Sequence, residues 1–360
     1  MEWKEALLDG NHHHADETLP CVRHVRMVCH DVLVSDDTRN NFEADTLFSV
    51  AQIGASHQHG KALPSWRRKI IALATHIACR TQLCILGITF DVTKMTHDDV
   101  NYKYYLGDDY KNELKELPIS TYIAPHTAGL DIQLMASALG GKLSFVAGDF
   151  TLGIPAVAAI CKALGCIFVP RGGSKEALEK TLHLIEERQQ HIEDGEGFSP
   201  FIIFPEGTCS NNTCLRKFKR GAFSALRPVC PVAIRYHWTA MSPALDVLDE
   251  YINLPLLCMN TAPIRAEVKI MPSFQPNQYL FTKHADKAQE QWQIYAWATR
   301  DLIAKVGGFG KHDISYKHSI TLYKYLNKQR DDYINEPEAY PLDMLVSTDQ
   351  QAQPDSKKDQ

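Results

Sequence analysis

The feature that most constrains the fold is an alternation of short apolar runs with amphipathic segments, which begins near residue 119. The strand-like runs cover residues 119–124, 143–146, 166–169, 201–204, 231–236 and 264–270. The helical segments cover residues 131–139, 154–164, 175–191 and 286–305. Chains that alternate in this way form α/β layers. We therefore predict an α/β fold with a mainly parallel central sheet flanked by helices.

An apolar stretch over residues 150–169, FTLGIPAVAAICKALGCIFV, is long enough to be considered as a membrane span. Gly165 divides it, and Pro155 stands near the start of its first half, which is the usual punctuation of a helix. We interpret the stretch as a buried helix followed by a buried strand.

The composition argues against two kinds of partner. The 360 residues carry a formal net charge of -5, so the chain lacks the overall positive field that attracts nucleic acid. The ten cysteines do not follow zinc-ligand spacing, which favours reduced thiols. We expect no nucleic-acid partner and no metal site, and we interpret His12, His13 and His14 as a solvated tract.

Four segments are predicted along the chain. Residues 1–60 form a polar N-terminal segment with one possible strand at 21–29, and residues 61–110 form a helical segment that associates with a membrane. Residues 111–310 form the α/β domain. Residues 311–360 form a C-terminal extension whose polar tail should be disordered.

The helical segment opens with a basic cluster, Arg67, Arg68 and Lys69, before a long apolar stretch. His76 and Arg80 interrupt that stretch, and a charge at the centre of a membrane span costs roughly 2.5 to 3.5 kcal/mol. An amphipathic helix that lies in the membrane interface, with its basic flank toward the headgroups, fits better than a span. A helix that covers the domain's own core fits equally well.

The sequence TYIAPHTAGLDIQL places His126 and Asp131 where a strand ends and a helix begins. Side chains at the carboxyl end of a strand face a crevice, so the His126 ring has a free edge there. An aspartate one helical turn further on can bond the other ring nitrogen and orient the base. We predict a pair of base and orienting carboxylate at this junction.

Three common kinds of active site do not match the sequence. There is no G-x-S-x-G elbow, and Ala136 stands where a phosphate loop needs its first glycine. The segment KVGGFG follows a helix instead of a strand, so it does not match a dinucleotide-binding turn. The proton that His126 accepts is therefore predicted to come from the substrate itself.

A second cluster follows the strand-like run over residues 201–204. In its tight turn, Gly207 lets a ligand approach the backbone, Glu206 can accept a hydrogen bond and Thr208 can donate one to a phosphate oxygen. Four cations then fall within five positions: Arg216, Lys217, Lys219 and Arg220.

A third cluster lies in GCIFVPRGGSKEA. Arg171 comes just past the end of a strand, and Ser174 stands at the N-cap of the next helix. An arginine beside a helix N-terminus is suited to bind an anion.

Together these segments resemble the glycerophospholipid acyltransferase family, which includes 1-acylglycerol-3-phosphate and lysophosphatidylcholine acyltransferases. HTAGLD matches the family's H-x-x-x-x-D motif, GCIFVPR its G-x-x-F-x-x-R motif, FPEGT its third motif and CPVAIRY its fourth, at Pro231. The motifs stand in the family's order, and the resemblance covers about residues 110–305. EGTCSNN and FKRGAF are most similar to the branch that reacylates lysophosphatidylcholine and lysophosphatidylethanolamine.

The resemblance implies an acyl-CoA-dependent lysophospholipid O-acyltransferase of phospholipid biosynthesis or remodelling. His126 would act as general base and Asp131 would orient it. The substrate-binding residues that it implies, for the acceptor phosphate, the acceptor pocket and the phosphates of CoA, are Arg171, Phe204, Pro205, Glu206, Gly207, Thr208, Lys219 and Arg220. No cofactor is expected beyond acyl-CoA as co-substrate. Cys209 is expected to have a packing role, because no base stands near it in the sequence.

The expected partners are acyl-CoA, a lysophospholipid and a membrane surface. The last residues, Lys357-Lys358-Asp359-Gln360, fit a K-K-x-x retrieval signal, which predicts the cytosolic face of the endoplasmic reticulum membrane. Two alternatives stay open: an acyl-CoA thioesterase-like hydrolase, in which His126 activates water, and a non-catalytic lipid-binding protein.

Overall fold

A seven-stranded sheet forms the centre of the described part of the chain. This computed structural model describes residues 62–113, 118–153, 155–170, 174–245, 250–260 and 262–313. The strands in chain order are β1 (Ile88–Lys94), β2 (Thr121–Ile123), β3 (Ser144–Gly148), β4 (Ile167–Val169), β5 (Phe201–Ile203), β6 (Cys214–Leu215), β7 (Val229–His237), β8 (Ile264–Ile270) and β9 (Gly310–Lys311). The order across the sheet is β1-β8-β7-β2-β5-β3-β4, while β6 and β9 pair separately. Among these pairs only β7 and β8 are antiparallel, so the predicted, mainly parallel α/β fold is confirmed.

The helices cover the two faces of this sheet. Among the described residues they are α1 (Ser65–Ile85), α2 (Lys103–Leu106), α3 (Tyr110–Glu113), α4 (Leu130–Ala138), α5 (Pro155–Leu164), α6 (Lys175–Glu193), α7 (Glu250–Met259), α8 (Gln278–Lys283) and α9 (Gln291–Gly307). Ser174 caps α6 as predicted, because its side chain accepts a hydrogen bond from the Ala177 N–H at 3.3 Å. Glu290 and Gln293 form a capping box, which starts α9 later than the predicted residue 286.

The core divides between the two faces because successive side chains of a strand point in opposite directions. In β2, Ile123 packs with the helices α6 and α9, whereas Tyr122 packs with α1 and α4. In β5, Ile202 joins the second group and its neighbours join the first. The sheet is therefore buried on both sides, which explains its near-continuous apolar strands.

The predicted helical segment over residues 61–110 is not helical throughout, because Ile88–Lys94 form the strand β1 between the helices α1 and α2. Gly87 (φ 66°) reverses the chain after α1, and β1 then pairs in parallel with β8. The residues of β1, ITFDVTK, are rich in the β-branched and aromatic types that favour strands. This segment therefore contributes an edge strand to the central sheet as well as a helix.

Several predictions concern residues outside the described ranges and stay predictions. They are the polar segment 1–60 with its histidine tract and possible strand at 21–29, the role of Arg171, and the tail with its retrieval-like terminus.

The turn after α4 holds α1 against the domain. Gly141 has a positive φ of 75°, and a Cβ built on it would lie 1.8 Å from the Ala72 carbonyl oxygen of α1. Gly140 also has a positive φ, of 63°, but a Cβ there would meet nothing within 4 Å. The two neighbouring glycines share a backbone conformation and differ in the close approach of α1.

This difference gives a test of the packing. Gly140→Ala should lower the free energy of unfolding by about 1 kcal/mol, which is the cost of placing a side chain in the left-handed region. Gly141→Ala should cost about 2 to 4 kcal/mol, since α1 must also shift. Urea denaturation of both variants measures the two losses, and equal losses would contradict the contact between α1 and this turn.

Candidate active site

Three neighbouring parallel strands, β5, β2 and β7, end at one edge of the sheet. His126 follows the end of β2, Glu206 follows the end of β5, and Tyr236 lies near the end of β7. Side chains from distant parts of the chain are thereby brought to one crevice, as expected for strands whose carboxyl ends point the same way.

The Asp131 carboxylate is the centre of this site and is fully buried, with 0% of the residue exposed. Its Oδ2 accepts hydrogen bonds from the backbone N–H groups of Thr127 at 2.6 Å and Ala128 at 2.9 Å. The same oxygen lies 2.8 Å from His126 Nδ1, and Oδ1 accepts from the Tyr236 hydroxyl at 2.7 Å. Asp131 stands in the first turn of α4, where the helix dipole also favours negative charge.

The His126 ring is held on two sides. Asp131 binds Nδ1, and the Phe204 ring stacks on the imidazole at a centroid distance of 4.2 Å and an angle of 16°. The His126 side chain remains 20% exposed. Because Nδ1 is occupied, Nε2 is the ring nitrogen that is left for chemistry.

The turn after β5 is fastened to the His126 backbone by the buried Glu206. Its Oε1 accepts from the His126 N–H at 3.1 Å, and its Oε2 accepts from the Arg216 N–H at 3.0 Å. Burial raises the pKa of Glu206, although these two N–H groups act in the opposite direction. Ser210 adds a third link, since its N–H donates to the His126 carbonyl at 2.7 Å. Glu206 therefore braces the turn against the loop that carries His126.

Cys209 of the same turn lies close enough to the His126 ring to influence its protonation. Burial by itself lowers the pKa of His126, but the neighbouring Cys209 and Asp131 side chains raise that pKa to about 10. The packing role expected for Cys209 rested on the lack of a base near it in the sequence, and it stays a prediction. The base lies far away in the sequence, and the pairing of β2 with β5 brings the two side chains together.

The cations of the second cluster separate in the fold. Lys219 lies over the turn, since a Cβ on Gly207 (φ 74°) would be 2.2 Å from the Lys219 ammonium, and the Lys219 N–H donates to the Pro205 carbonyl at 2.8 Å. Arg220 instead lies 3.5 Å from Glu179 of α6.

The structure thus gathers most of the predicted site residues at one edge of the sheet. Those that it brings together are His126, Asp131, Phe204, Pro205, Glu206, Gly207 and Lys219. Thr208 is half-buried in the same turn, and Arg171 lies outside the described residues. The parts of the chain that the structure describes contain no group of three side chains suited to hold a metal ion.

Two residues of the site were missed from the sequence, Tyr236 and Asn212. The buried Asn212 (φ 63°) donates from its amide to the Thr127 hydroxyl at 2.8 Å and to the Ile234 carbonyl at 3.0 Å. Its carbonyl oxygen accepts from the Tyr236 N–H at 2.9 Å. The argument that selected His126, a polar side chain at the carboxyl end of a strand, would also have selected Tyr236.

The fold and the site together place an imidazole, oriented by a buried carboxylate, beside a turn that carries a glycine and a cation. Residues 114–235 match the model of the Acyltransferase family. The predicted resemblance to the glycerophospholipid acyltransferases and the prediction of an acyltransferase enzyme are confirmed.

Several relatives are named for lysophospholipid acylation. The chain is 27% identical over 288 residues to a lysophospholipid acyltransferase of Arabidopsis thaliana, covering 75% of this chain and 68% of that protein. It is 30% identical over 215 residues to a lysophosphatidylcholine acyltransferase of Drosophila melanogaster, covering 58% of this chain and 36% of that protein. It is 24% identical over 261 residues to human lysophosphatidylcholine acyltransferase 2, covering 71% of this chain and 42% of that protein.

A solved structure is also similar. The 1-acyl-sn-glycerophosphate acyltransferase of Thermotoga maritima shares 17% sequence identity, with a TM-score of 0.42, and the match covers 75% of this chain and 96% of that one.

The Tyr236 hydroxyl offers a test of how the site depends on the Asp131 contacts. In Tyr236→Phe the buried carboxylate loses one donor, so the free energy of unfolding should fall by about 1.5 to 3 kcal/mol. We expect kcat for acyl transfer to fall about tenfold, because the orientation of His126 loosens, which corresponds to about 1.4 kcal/mol of barrier. Tyr122→Phe, which alters a buried tyrosine of β2, is the matched control. A Tyr236→Phe enzyme that matches this control in both measurements would contradict the assigned role.

Proposed function

We propose that the protein transfers an acyl group from acyl-CoA to the free hydroxyl of a lysophospholipid. The relatives named above supply the acceptor class. The observation that carries the proposal is the His126 ring, whose Nδ1 is held by a buried carboxylate and whose open edge lies at the FPEGT turn. A base placed in this way serves the removal of a hydroxyl proton.

In this reaction the acceptor hydroxyl gives its proton to His126 Nε2, and its oxygen becomes bonded to the acyl carbon. Asp131 stabilises the imidazolium that forms, and Tyr236 and the two backbone N–H groups in turn stabilise the carboxylate. The C–S bond of the thioester breaks, and CoA leaves as a thiol. No atom of a cofactor enters this balance.

Both proposed substrates carry phosphates, whereas the chain has a net charge of -5. A local cation is therefore needed, and Lys219 over Gly207 supplies one at the turn. We assign Lys219 to the phosphates of CoA and Arg171 to the acceptor phosphate, with Thr208 and Phe204 lining the acceptor pocket. Arg220 is bound to Glu179 at the protein surface, and it would have to leave Glu179 before it could bind the phosphates of CoA beside Lys219.

The first experiment measures thiol release from oleoyl-CoA, with and without a panel of lysophospholipids. Release that depends on one lysophospholipid and falls by a factor of about 10² to 10⁴ in His126→Ala is the expected result. His183→Ala, on the exposed surface of α6, is the control and should keep full activity. Release that is indifferent to lysophospholipid would identify a hydrolase, and no release with any acceptor would leave a lipid-binding protein.

We also propose that the outer face of α1 lies in the membrane interface, at the cytosolic side of the endoplasmic reticulum. Trp66, Ile70, Leu73 and Ile77 recur every three or four residues and are each more than half exposed. The opposite face of α1 packs on α4 and the sheet through Ala72 and Leu83. No helix among the described residues is both long enough and apolar enough to cross a bilayer. A helix with one buried and one exposed apolar face suits attachment at the surface.

Flotation with vesicles tests this attachment. The triple variant Ile70→Ser, Leu73→Ser, Ile77→Ser should bind phosphatidylcholine–phosphatidylserine vesicles at least tenfold more weakly, since each buried apolar side chain contributes about 1.5 to 3 kcal/mol when fully transferred. The control variant Leu178→Ser, Leu184→Ser changes two exposed leucines of α6 and should float like the unchanged protein. Equal flotation of the two variants would rule out α1 as the attachment site.

A further inference from the structure

Asn212 has a backbone conformation that calls for an explanation. The residue is buried, with 4% of its surface exposed, and its φ of 63° lies in the left-handed region. Among the described residues other than glycine, only Leu226 also has a positive φ. This conformation costs free energy for a residue with a side chain, and such outliers gather at functional sites. The buried side-chain amide of Asn212 is therefore the group to consider.

The amide of Asn212 forms three hydrogen bonds, and they reach two strands of the sheet. Its Nδ2 donates to the Thr127 hydroxyl at 2.8 Å, in the loop after β2, and to the Ile234 carbonyl of β7 at 3.0 Å. Its Oδ1 accepts from the Tyr236 N–H at 2.9 Å, also in β7. Both hydrogens of the amide nitrogen and the amide oxygen are thus engaged. The side chain joins the loop after β2 to the end of β7.

The two residues that this amide joins are the same two that hold the Asp131 carboxylate. The Thr127 N–H donates to Oδ2 at 2.6 Å, and the Tyr236 hydroxyl donates to Oδ1 at 2.7 Å. Oδ2 in turn lies 2.8 Å from His126 Nδ1. Asn212 therefore links the donor of one carboxylate oxygen to the donor of the other, and its influence on His126 passes through Asp131.

The segment that carries Asn212 is itself held on both sides. On one side, the Ser210 N–H donates to the His126 carbonyl at 2.7 Å. On the other side, the Thr213 carbonyl accepts from the Gly310 N–H of β9 at 2.9 Å. The amide thus reaches the site from an anchored segment, which limits the movement of the loop after β2 relative to β7.

We propose that Asn212 is a positioning residue of the acyl-transfer site, because its amide fixes Thr127 and Tyr236 relative to each other. This arrangement aims both oxygens of Asp131 and keeps the His126 ring in the orientation that leaves Nε2 free. The proposal rests on the proposed function, in which Nε2 accepts the hydroxyl proton. Asn212 supplies no proton and no charge, so the loss of its amide should slow the chemical step without weakening the binding of either substrate.

A purely conformational role for Asn212 is the alternative, since asparagine tolerates the left-handed region better than most residues. Asn212→Gly separates the two roles, because glycine adopts this conformation without strain but has no amide side chain. Asn211→Gly is the matched control. Asn211 is the exposed neighbour, and its side chain accepts hydrogen bonds from the N–H and hydroxyl of Thr213. Both variants add one glycine at adjoining positions, so they change the unfolded chain alike.

The kinetic test measures thiol release from oleoyl-CoA by the 360-residue chain, with the lysophospholipid that supports the fastest turnover. We expect Asn212→Gly to lower kcat about tenfold to a hundredfold, because a misplacement of about 1 Å can slow catalysis a hundredfold. KM for both substrates should stay within about threefold, since uniform binding is not lost. Asn211→Gly should keep the kcat of the unchanged protein. Equal kcat in the two variants, or a loss confined to KM, would overturn the inference.

A second pair of variants tests the bond to Thr127. Thr127→Val removes the hydroxyl but keeps the shape and the backbone N–H that binds Asp131, whereas Thr127→Ser keeps the hydroxyl. We expect kcat to be about fivefold lower in Thr127→Val than in Thr127→Ser, since one buried hydrogen bond is lost. Combining Thr127→Val with Asn212→Gly should add little, because the same contact is already absent. If Asn212→Gly does not fold, equal kcat in the two Thr127 variants would overturn the inference.

A measurement without substrate separates this inference from the proposed function. The NMR signal of the His126 Nδ1 proton, assigned by its loss in His126→Gln, reports the bond to Asp131. In Asn212→Gly we expect this signal to move upfield and to exchange faster with water, whereas Asn211→Gly should leave it unchanged. If the signal moves but no acceptor supports acyl transfer, the positioning role stands and the proposed function falls. An unchanged signal in Asn212→Gly would overturn the positioning role, whether or not the enzyme is active.

Discussion

The buried carboxylate of Asp131 is the group on which the rest of the site depends. An ionised carboxylate is expensive to remove from water unless hydrogen bonds replace its hydration. Here those bonds come from two backbone N–H groups of its own loop, from His126 and from Tyr236 of β7. All four hydrogen bonds to the Asp131 carboxylate form only when the loop after β2, the His126 ring and the strand β7 are positioned together.

The parallel sheet makes this arrangement possible with only short loops. β2, β5 and β7 end at the same edge, so each needs to contribute only a short loop. Glu206 then ties the loop after β5 to the loop after β2 through the His126 N–H, and to the end of β6 through the Arg216 N–H. This tie holds the Gly207 turn, with Lys219 over it, beside the loop that carries His126. A proton acceptor and a cation are therefore supplied by segments that are far apart in the sequence.

Much of this could be predicted because it depends on local pattern. The apolar runs located six of the strands, and the position of polar residues at strand ends selected His126, Asp131 and Glu206. Contacts between distant segments could not be predicted in the same way. The bond between Glu206 and the His126 N–H, the bond from Tyr236 to Asp131, and the separation of Lys219 from Arg220 depend on how the strands pair. β1 was missed because its apolar residues continue those of α1 without a polar break, and only Gly87 marks the boundary.

The most direct measurement is the protonation of the two His126 ring nitrogens, observed by NMR with nitrogen-15 histidine and assigned by the loss of its signals in His126→Gln. The account predicts that the neutral ring carries its proton on Nδ1, because Asp131 accepts a hydrogen bond there, and that Nε2 is the nitrogen that gains and loses a proton. A neutral ring with its proton on Nε2 at neutral pH would contradict the account, since Asp131 would then receive no hydrogen bond from the base.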